Sequence, residues 1–263
     1  MNKHKIYQID AFAEHIFSGN PAAVCPLNEW LQDDMLQKIA MENNLAETVF
    51  YVKTGNEYQI RWFTPTVEVD LCGHATLAAA YVLFNLENYA EKIIQFNSHR
   101  SGILTVSKNG EWLTLNFPTD IFSQIELIDE IAVGFNVRPQ LAYKGKTDIM
   151  LVFDSEDDIL QMNPSYDKIA KLPGRGVIVT AKGNTVDFVS RFFAPQSGIN
   201  EDPVTGSAHT TMIPFWAKRL GKSEMTAIQL SSRRGFLQCK DLGERVEISG
   251  QGKLYMSGEM YID

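Results

Sequence analysis

Arg61-Trp62-Phe63-Thr64-Pro65 returns about 130 residues later as Arg191-Phe192-Phe193-Ala194-Pro195. A Gly-Asn turn precedes each copy, Gly55-Asn56 in the first and Gly183-Asn184 in the second, and a short acidic loop follows. Each loop runs into a Gly that opens an apolar segment: Cys72-Gly73-His74-Ala75 and Thr205-Gly206-Ser207-Ala208. The offset is half of the 263-residue chain. Repeats of roughly 20–50 residues signal solenoids, whereas one duplication of this size predicts two alike domains across a pseudo-two-fold axis, with a cleft between them as the default site.

The surrounding pattern is that of short strands and few helices. Ile6–Phe12 and Ala22–Cys25 read as strands separated by the turn Ser18-Gly19-Asn20-Pro21. Asn28 is the expected cap of a helix in which Trp30, Leu31, Met35, Leu36 and Ile39 recur at helical spacing, with Asp33 and Asp34 complementing its dipole and Asn43-Asn44 ending it. Strands over 48–53 and 58–63 form a hairpin across Thr54-Gly55-Asn56. Residues 75–86 are apolar almost all round, so that helix must be buried by strands on most sides. A second helix over about 207–220 carries Pro214, which predicts a kink or a break in its hydrogen bonding. The stretch from Phe117-Pro118 to about 130 reads as the crossover between the halves.

Composition narrows the function. Hydrophobic residues at 44% and charged residues at 21% are ordinary for a globular chain. A net charge of −8, with no run of Lys or Arg, argues against a nucleic-acid partner. There is neither the apolar core of a signal peptide near the N-terminus nor the ~20-residue apolar run of a membrane helix, so a cytoplasmic protein without membrane contact is expected. Cys25, Cys72 and Cys239 contain no C-x-x-C pair, and their spacing predicts neither a disulfide framework nor a zinc site.

Several residues are candidates for chemistry. Helices starting at Gly73 and Gly206 would aim free amides and the positive ends of their dipoles at a shared cleft, a setting for a small carboxylate; taken singly, either Gly also fits plain tight packing. Glu47, where a helix gives way to a strand among apolar neighbours, is a candidate for a raised pKa and general acid–base work, or a solvent-facing strand end. Its counterpart in the second half lies near Arg175, so one shuttling base is expected rather than two. The dipole at the start of its helix should favour neutral His74. Asp202, on the loop before the second helix, would orient His74 or a substrate amine, or simply build a turn before Pro203. Cys72 sits where a thiol pKa is lowered, but a two-thiol mechanism would need a second Cys where Thr205 stands.

The motifs Phe17-Ser18-Gly19-Asn20-Pro21-Ala22-Ala23-Val24, Asn44-Leu45-Ala46-Glu47-Thr48, Arg61–Pro65, Gly73-His74-Ala75-Thr76 and Glu201-Asp202-Pro203-Val204-Thr205-Gly206-Ser207-Ala208 occur in order. By them the chain resembles, over essentially its full length, the phenazine-biosynthesis PhzF-like proteins, relatives of diaminopimelate epimerase. The resemblance implies an α+β fold of two pseudo-symmetric domains, each a β-barrel-like sheet wrapped around a central helix. The first domain is expected over 1–117, with the C-terminal strand 254–263 available to complete it, and the second over 118–253. It also implies a biosynthetic homodimer working without cofactor or metal, with Glu47 moving a proton and His74, Asp202 and Ser207 contacting the substrate. Gly73 and Gly206 would help bind it; Cys72, Asn20 and Thr205 are further candidates. The chain departs from the phenazine-pathway pattern at Ala46, where a Ser hydroxyl is lost, and at Pro214. The expected function is a cofactor-independent isomerase acting on a small carboxylated, amino-acid-like substrate. The alternatives are a non-enzymatic binder of small anions, to which Glu47 would be superfluous, and a thiol racemase using Cys72.

Overall fold

The structure, a computed structural model, describes residues 2–263. It divides into two compact units, one running to Asn116 and taking in Ser249–Asp263, the other comprising Phe117–Ile248. The first holds β1 (Asn2–Ala11), β2 (Asn20–Leu27), α1 (Asp33–Asn43), β3 (Glu47–Thr54), β4 (Glu57–Phe63), β5 (Glu68–Val69), α2 (Gly73–Asn85), β6 (Ile93–Ser98), β7 (Gly102–Asn109) and most of β8 (Trp112–Pro118). The second begins with β9 (Ser123–Ile125), α3 (Asp129–Ala132), β10 (Leu141–Lys144), β11 (Asp148–Val152), α4 (Glu156–Leu160) and α5 (Tyr166–Ile169). It continues through β12 (Gly176–Lys182), β13 (Phe188–Ala194), β14 (Ile199–Asp202), α6 (Gly206–Leu220), β15 (Glu224–Gln229), β16 (Gly235–Asp241) and most of β17 (Arg245–Gly250). The last strand, β18 (Gly252–Ile262), belongs to the first unit, where it runs antiparallel along the whole of β1 with one bulge at Gln8/Ile9.

Strand pairing repeats step for step. In the first unit β1/β2 is antiparallel, β2/β3 parallel, β3/β4 and β4/β5 antiparallel, β4/β6 parallel and β6/β7 antiparallel. In the second, β10/β11, β11/β12, β12/β13, β13/β14, β13/β15 and β15/β16 follow the same succession. The apolar helix lies inside its strands: eleven of the thirteen residues of α2 are buried, and it packs on β1, β2, β3, β7 and β18. Only small residues let so many strands come close, which accounts for Ala75, Ala78, Ala79 and Ala80, all fully buried. In α6, Met212, Ile213, Phe215 and Trp216 are buried, with Trp216 stacked on Phe188 at 5.9 Å.

Two local expectations need adjusting. Asn28 caps no helix; α1 starts at Asp33 behind Gln32, although Asn44 does end it in a left-handed conformation. Trp30 is committed elsewhere, since its indole N–H donates to Gln59 Oε1 at 2.6 Å and the Arg61 guanidinium lies 5.4 Å from its ring. Pro214 does not interrupt α6, which is continuous from Gly206 to Leu220. The carbonyl deprived of its helical partner is that of Thr210, and the Asp120 N–H donates to it at 3.2 Å. The Asp120 carboxylate then accepts from Thr211 Oγ1 at 2.9 Å, so a loop outside the helix repairs the break.

The recurring Arg has the same task in both units. Arg61 makes a two-pronged bond to Glu68 (2.8 and 2.9 Å) and lies 5.1 Å from the Phe63 ring; Arg191 does the same with Glu201 (2.7 and 2.9 Å) and Phe193 (4.9 Å). Glu68 and Glu201 sit on β5 and β14, the short strands that lead into α2 and α6. Each fork therefore fixes the approach to a helix start. Arg191 also donates to the carbonyls of Ile159 (3.3 Å) and Met162 (3.0 Å), a set no ammonium can reproduce. Arg191→Lys should lower the unfolding free energy by roughly 1–2 kcal/mol and Arg191→Met by about 3 kcal/mol or more, read from urea midpoints at constant slope. Equal stability of all three proteins would remove the fork from this role.

Candidate functional site

Glu47 is the first residue of β3, directly beyond the turn that follows α1. Parallel pairing of β3 with β2 sets Glu47 opposite Ala22, two residues from Asn20. Asn20 follows Gly19, whose φ of +66° and packing against the Ala11 carbonyl leave no room for a Cβ. From the other side comes the start of α2, with Cys72 at the cap position, then Gly73 and His74. The three segments meet on the imidazole of His74, which is 3% exposed. Asn20 Nδ2 and Cys72 Sγ approach its Nδ1 at 3.2 and 3.5 Å, and Glu47 Oε2 stands 3.2 Å from Nε2. This last approach is close but badly angled, so Nε2 and Oε2 are both buried without a true hydrogen bond. Burial opposes a charge on His74, yet the Cys72 sulfur and the Glu47 carboxylate outweigh it and raise the pKa well above the ordinary histidine value. The neutral imidazole expected from the helix dipole is thus corrected: two acidic neighbours count for more than the helix end.

Cys72 needs a matching correction. Burial, and after it the Glu47 carboxylate, push its thiol up, against the downward effect expected of a helix start. Its backbone carbonyl accepts from Thr76 Oγ1 at 2.6 Å, which fixes the first turn of α2.

The second unit builds its helix start from different chemistry. Thr205 holds the cap position; its hydroxyl donates to Asp202 Oδ2 at 2.5 Å and its N–H to Gln229 Oε1 at 2.9 Å, while Gln229 Nε2 donates to the Asp202 carbonyl at 2.7 Å. Behind Gly206, Ser207 Oγ accepts from Arg175 Nη2 at 2.8 Å, and Arg175 is itself clamped by the buried Asp148 carboxylate (3.0 and 2.5 Å). Asn20, Glu47, Cys72, Gly73 and His74 are thus gathered in the first unit, and Asp202, Thr205, Gly206 and Ser207 in the second. Nothing in the sequence marks Asp148 or Gln229 as partners of these residues, and Arg175 stands out only by its position. A lone Asp at the start of a strand and a Gln at the end of one carry no sequence signal for such roles.

With this geometry in place the likenesses to other proteins have something to attach to. A profile of the phenazine biosynthesis-like proteins matches residues 9–258. The chain belongs to the PhzF-like family. An uncharacterized isomerase of Pseudomonas aeruginosa is 48% identical, with 98% of both chains covered. The crystal structure of a PhzF-family protein from Enterococcus faecalis superposes with a TM-score of 0.97 at 46% identity, covering 99% of this chain and all of the other. A hydroxyproline epimerase from Agrobacterium vitis shares the fold, with a TM-score of 0.62 at 8% identity over 98% of this chain and 92% of the other. The PhzF-like chain thus has the α+β architecture of two alike barrels shared with epimerases. No helix among the described residues is long and apolar enough to cross a membrane.

This PhzF-like protein also carries a titration tied to the second helix start. His209 is fully buried, its Nδ1–H donates to the Thr205 carbonyl at 2.8 Å, and burial lowers its pKa to about 4. Between pH 6.5 and 4 the unfolded chain binds a proton there that the folded chain refuses, so stability falls as pH drops through this window. The full effect is roughly 3 kcal/mol. His209→Asn keeps an N–H for Thr205 and should flatten the dependence: comparing urea unfolding of both proteins from pH 7.5 to 4.5 isolates the contribution of His209, and parallel curves would refute it.

Proposed function

We propose that this protein is an isomerase that moves a proton on a small carboxylated, amino-acid-like substrate, with Glu47 as the single shuttling base. The observation that carries this reading is the Glu47 carboxylate itself: its side chain is 12% exposed and Oε2 is buried without a hydrogen bond, 3.2 Å from His74 Nε2, which has none either. A buried acceptor is normally satisfied, and one that is not is a mark of a functional group. Glu47 takes a proton from a carbon beside a carboxylate or conjugated centre and returns it to another carbon. His74, held by Asn20 and Cys72, positions the carboxylate and offers an N–H toward the charge that develops. The free amides at the Gly73 helix start would bind the substrate carboxylate. The names of the isomerase relative and of the epimerase with a similar fold support the reaction class. The chemistry asks for no cofactor, and the resemblance implies a homodimer.

A thiol mechanism draws support from Cys72 Sγ lying 3.5 Å from His74 Nδ1. Against it, the thiol pKa is raised, and the corresponding residue at the second helix start is Thr205, whose hydroxyl is engaged by Asp202. The two readings separate in heavy water with a panel of cyclic and amino-acid carboxylates, following exchange of carbon-bound hydrogen by NMR. Glu47→Gln should reduce exchange by at least a thousandfold with folding and ligand affinity nearly intact, and Cys72→Ala should cost tenfold or less. A folded Glu47→Gln protein that still exchanges would remove Glu47 from the mechanism; a larger loss in Cys72→Ala would make the thiol the acid–base group.

A further inference from the structure

We propose that Glu47, Cys72 and His74 form a binding site for a zinc ion, and that the ion, by taking the Glu47 carboxylate as a ligand, switches proton transfer off. The three residues bring a carboxylate oxygen, a thiol sulfur and an imidazole nitrogen within 4.8 Å of one another. Two of the separations, 3.5 Å between sulfur and nitrogen and 3.2 Å between nitrogen and oxygen, are close to the edges of a tetrahedron about zinc, roughly 3.3–3.6 Å for bond lengths of about 2.0–2.3 Å. The first is to Nδ1 and the second to Nε2 of His74; one nitrogen has to serve both, so the imidazole or the Cys72 side chain shifts as the ion binds. The second observation is that His74 Nε2, on a residue 97% buried, and Glu47 Oε2 have only each other: they stand 3.2 Å apart and neither has a hydrogen bond. A cation between these two atoms would satisfy both. With Nε2 on the ion, Nδ1 carries the ring proton, and the Asn20 amide, 3.2 Å from Nδ1, has to present its oxygen instead of its nitrogen to accept it.

The donor set selects the metal. Thiolate and imidazole suit zinc, while magnesium and calcium want oxygen alone. As the ion binds, the Cys72 thiol proton and the His74 imidazolium proton both leave to solvent, and the fourth coordination position is open to water. Sequence spacing hides such a site, because Glu47 comes from β3 and the other two residues from the start of α2, with no C-x-x-C or H-x-x-x-H pair. Binding depends only on the three side chains, whereas its effect on turnover rests on the proton-transfer reading of Glu47.

Cobalt serves as the visible probe. The full-length, metal-stripped protein, titrated with Co²⁺, should show a thiolate-to-cobalt charge-transfer band that saturates at one equivalent per chain and is displaced by Zn²⁺. The band should vanish in Cys72→Ser and Cys72→Ala and persist in Cys239→Ser, with folding checked by circular dichroism. Zinc affinity, measured against a chromophoric chelator, should fall at least tenfold in Glu47→Gln and in His74→Ala. Absence of the band in the wild-type protein, its survival without Cys72, or a zinc affinity indifferent to all three side chains would overturn the site. Should the band appear where no hydrogen exchange is ever found, the metal site stands and the isomerase reading fails; exchange that Zn²⁺ leaves untouched at saturation overturns the inhibition.

Discussion

The Arg–Glu fork is the constraint on which both units are built. A guanidinium side chain one-eighth exposed is costly to desolvate unless its donors are answered, and here a planar carboxylate answers two of them in each unit. The bond ties the second strand of a hairpin to the short strand before the central helix, and the aromatic ring two residues after the Arg covers the pair. What the fork fixes is the position of the helix start, and every residue considered for function lies at or beside one. The spacing from Arg to Glu is seven residues in the first unit and ten in the second. The three extra residues are taken up by a one-turn helix at Pro195–Ser197, so the fork survives an insertion that would otherwise shift the loop.

The repeat was legible because the fork's residues stay close in sequence to a hairpin turn and a Gly. Arg61–Pro65 and Arg191–Pro195 alone predict two alike units, and the helix within strands follows from a segment with no polar face. Asn28 misled because a good cap residue stood before periodic apolar residues; Trp30, part of that period, is held by Gln59 and Arg61, contacts a helical window cannot show. Pro214 misled for a related reason. The cost of a proline in a helix is set by whether the orphaned carbonyl finds a donor, and that donor, Asp120, is ninety residues away in the chain.

Site electrostatics were less legible than site membership. Reading His74 and Cys72 from the helix end alone gives a lowered pKa for each, and both directions reverse in the structure. The macrodipole is worth roughly half a charge at the helix terminus, whereas a full carboxylate stands 3.2 Å from His74, and a buried thiolate forfeits its hydration. Sequence can place a residue at a helix start; it cannot say which charges from other elements face it.

The pairing register explains why two similar units differ in chemistry. Thr48 lies opposite Phe63 and Val177 opposite Phe193, so the position equivalent to Glu47 is Gly176, and Arg175 matches Ala46. No side chain fits at Gly176, where a Cβ would collide with the Phe192 ring and the Phe193 carbonyl. The same register makes Thr205 the counterpart of Cys72, Ser207 that of His74, and Asp202 that of Val69. Each substitution changes a function without touching the scaffold: carboxylate to nothing, thiol to hydroxyl, imidazole to hydroxyl, apolar to acid. Even the side chain that secures the first helical turn has been exchanged, the Thr76 hydroxyl on the Cys72 carbonyl becoming the His209 imidazole on that of Thr205. Duplication preserved the parts that hold the backbone, the fork and the capped turn, and left the positions between them free to diverge. The position that would have carried a second carboxylate is the one where packing admits only glycine.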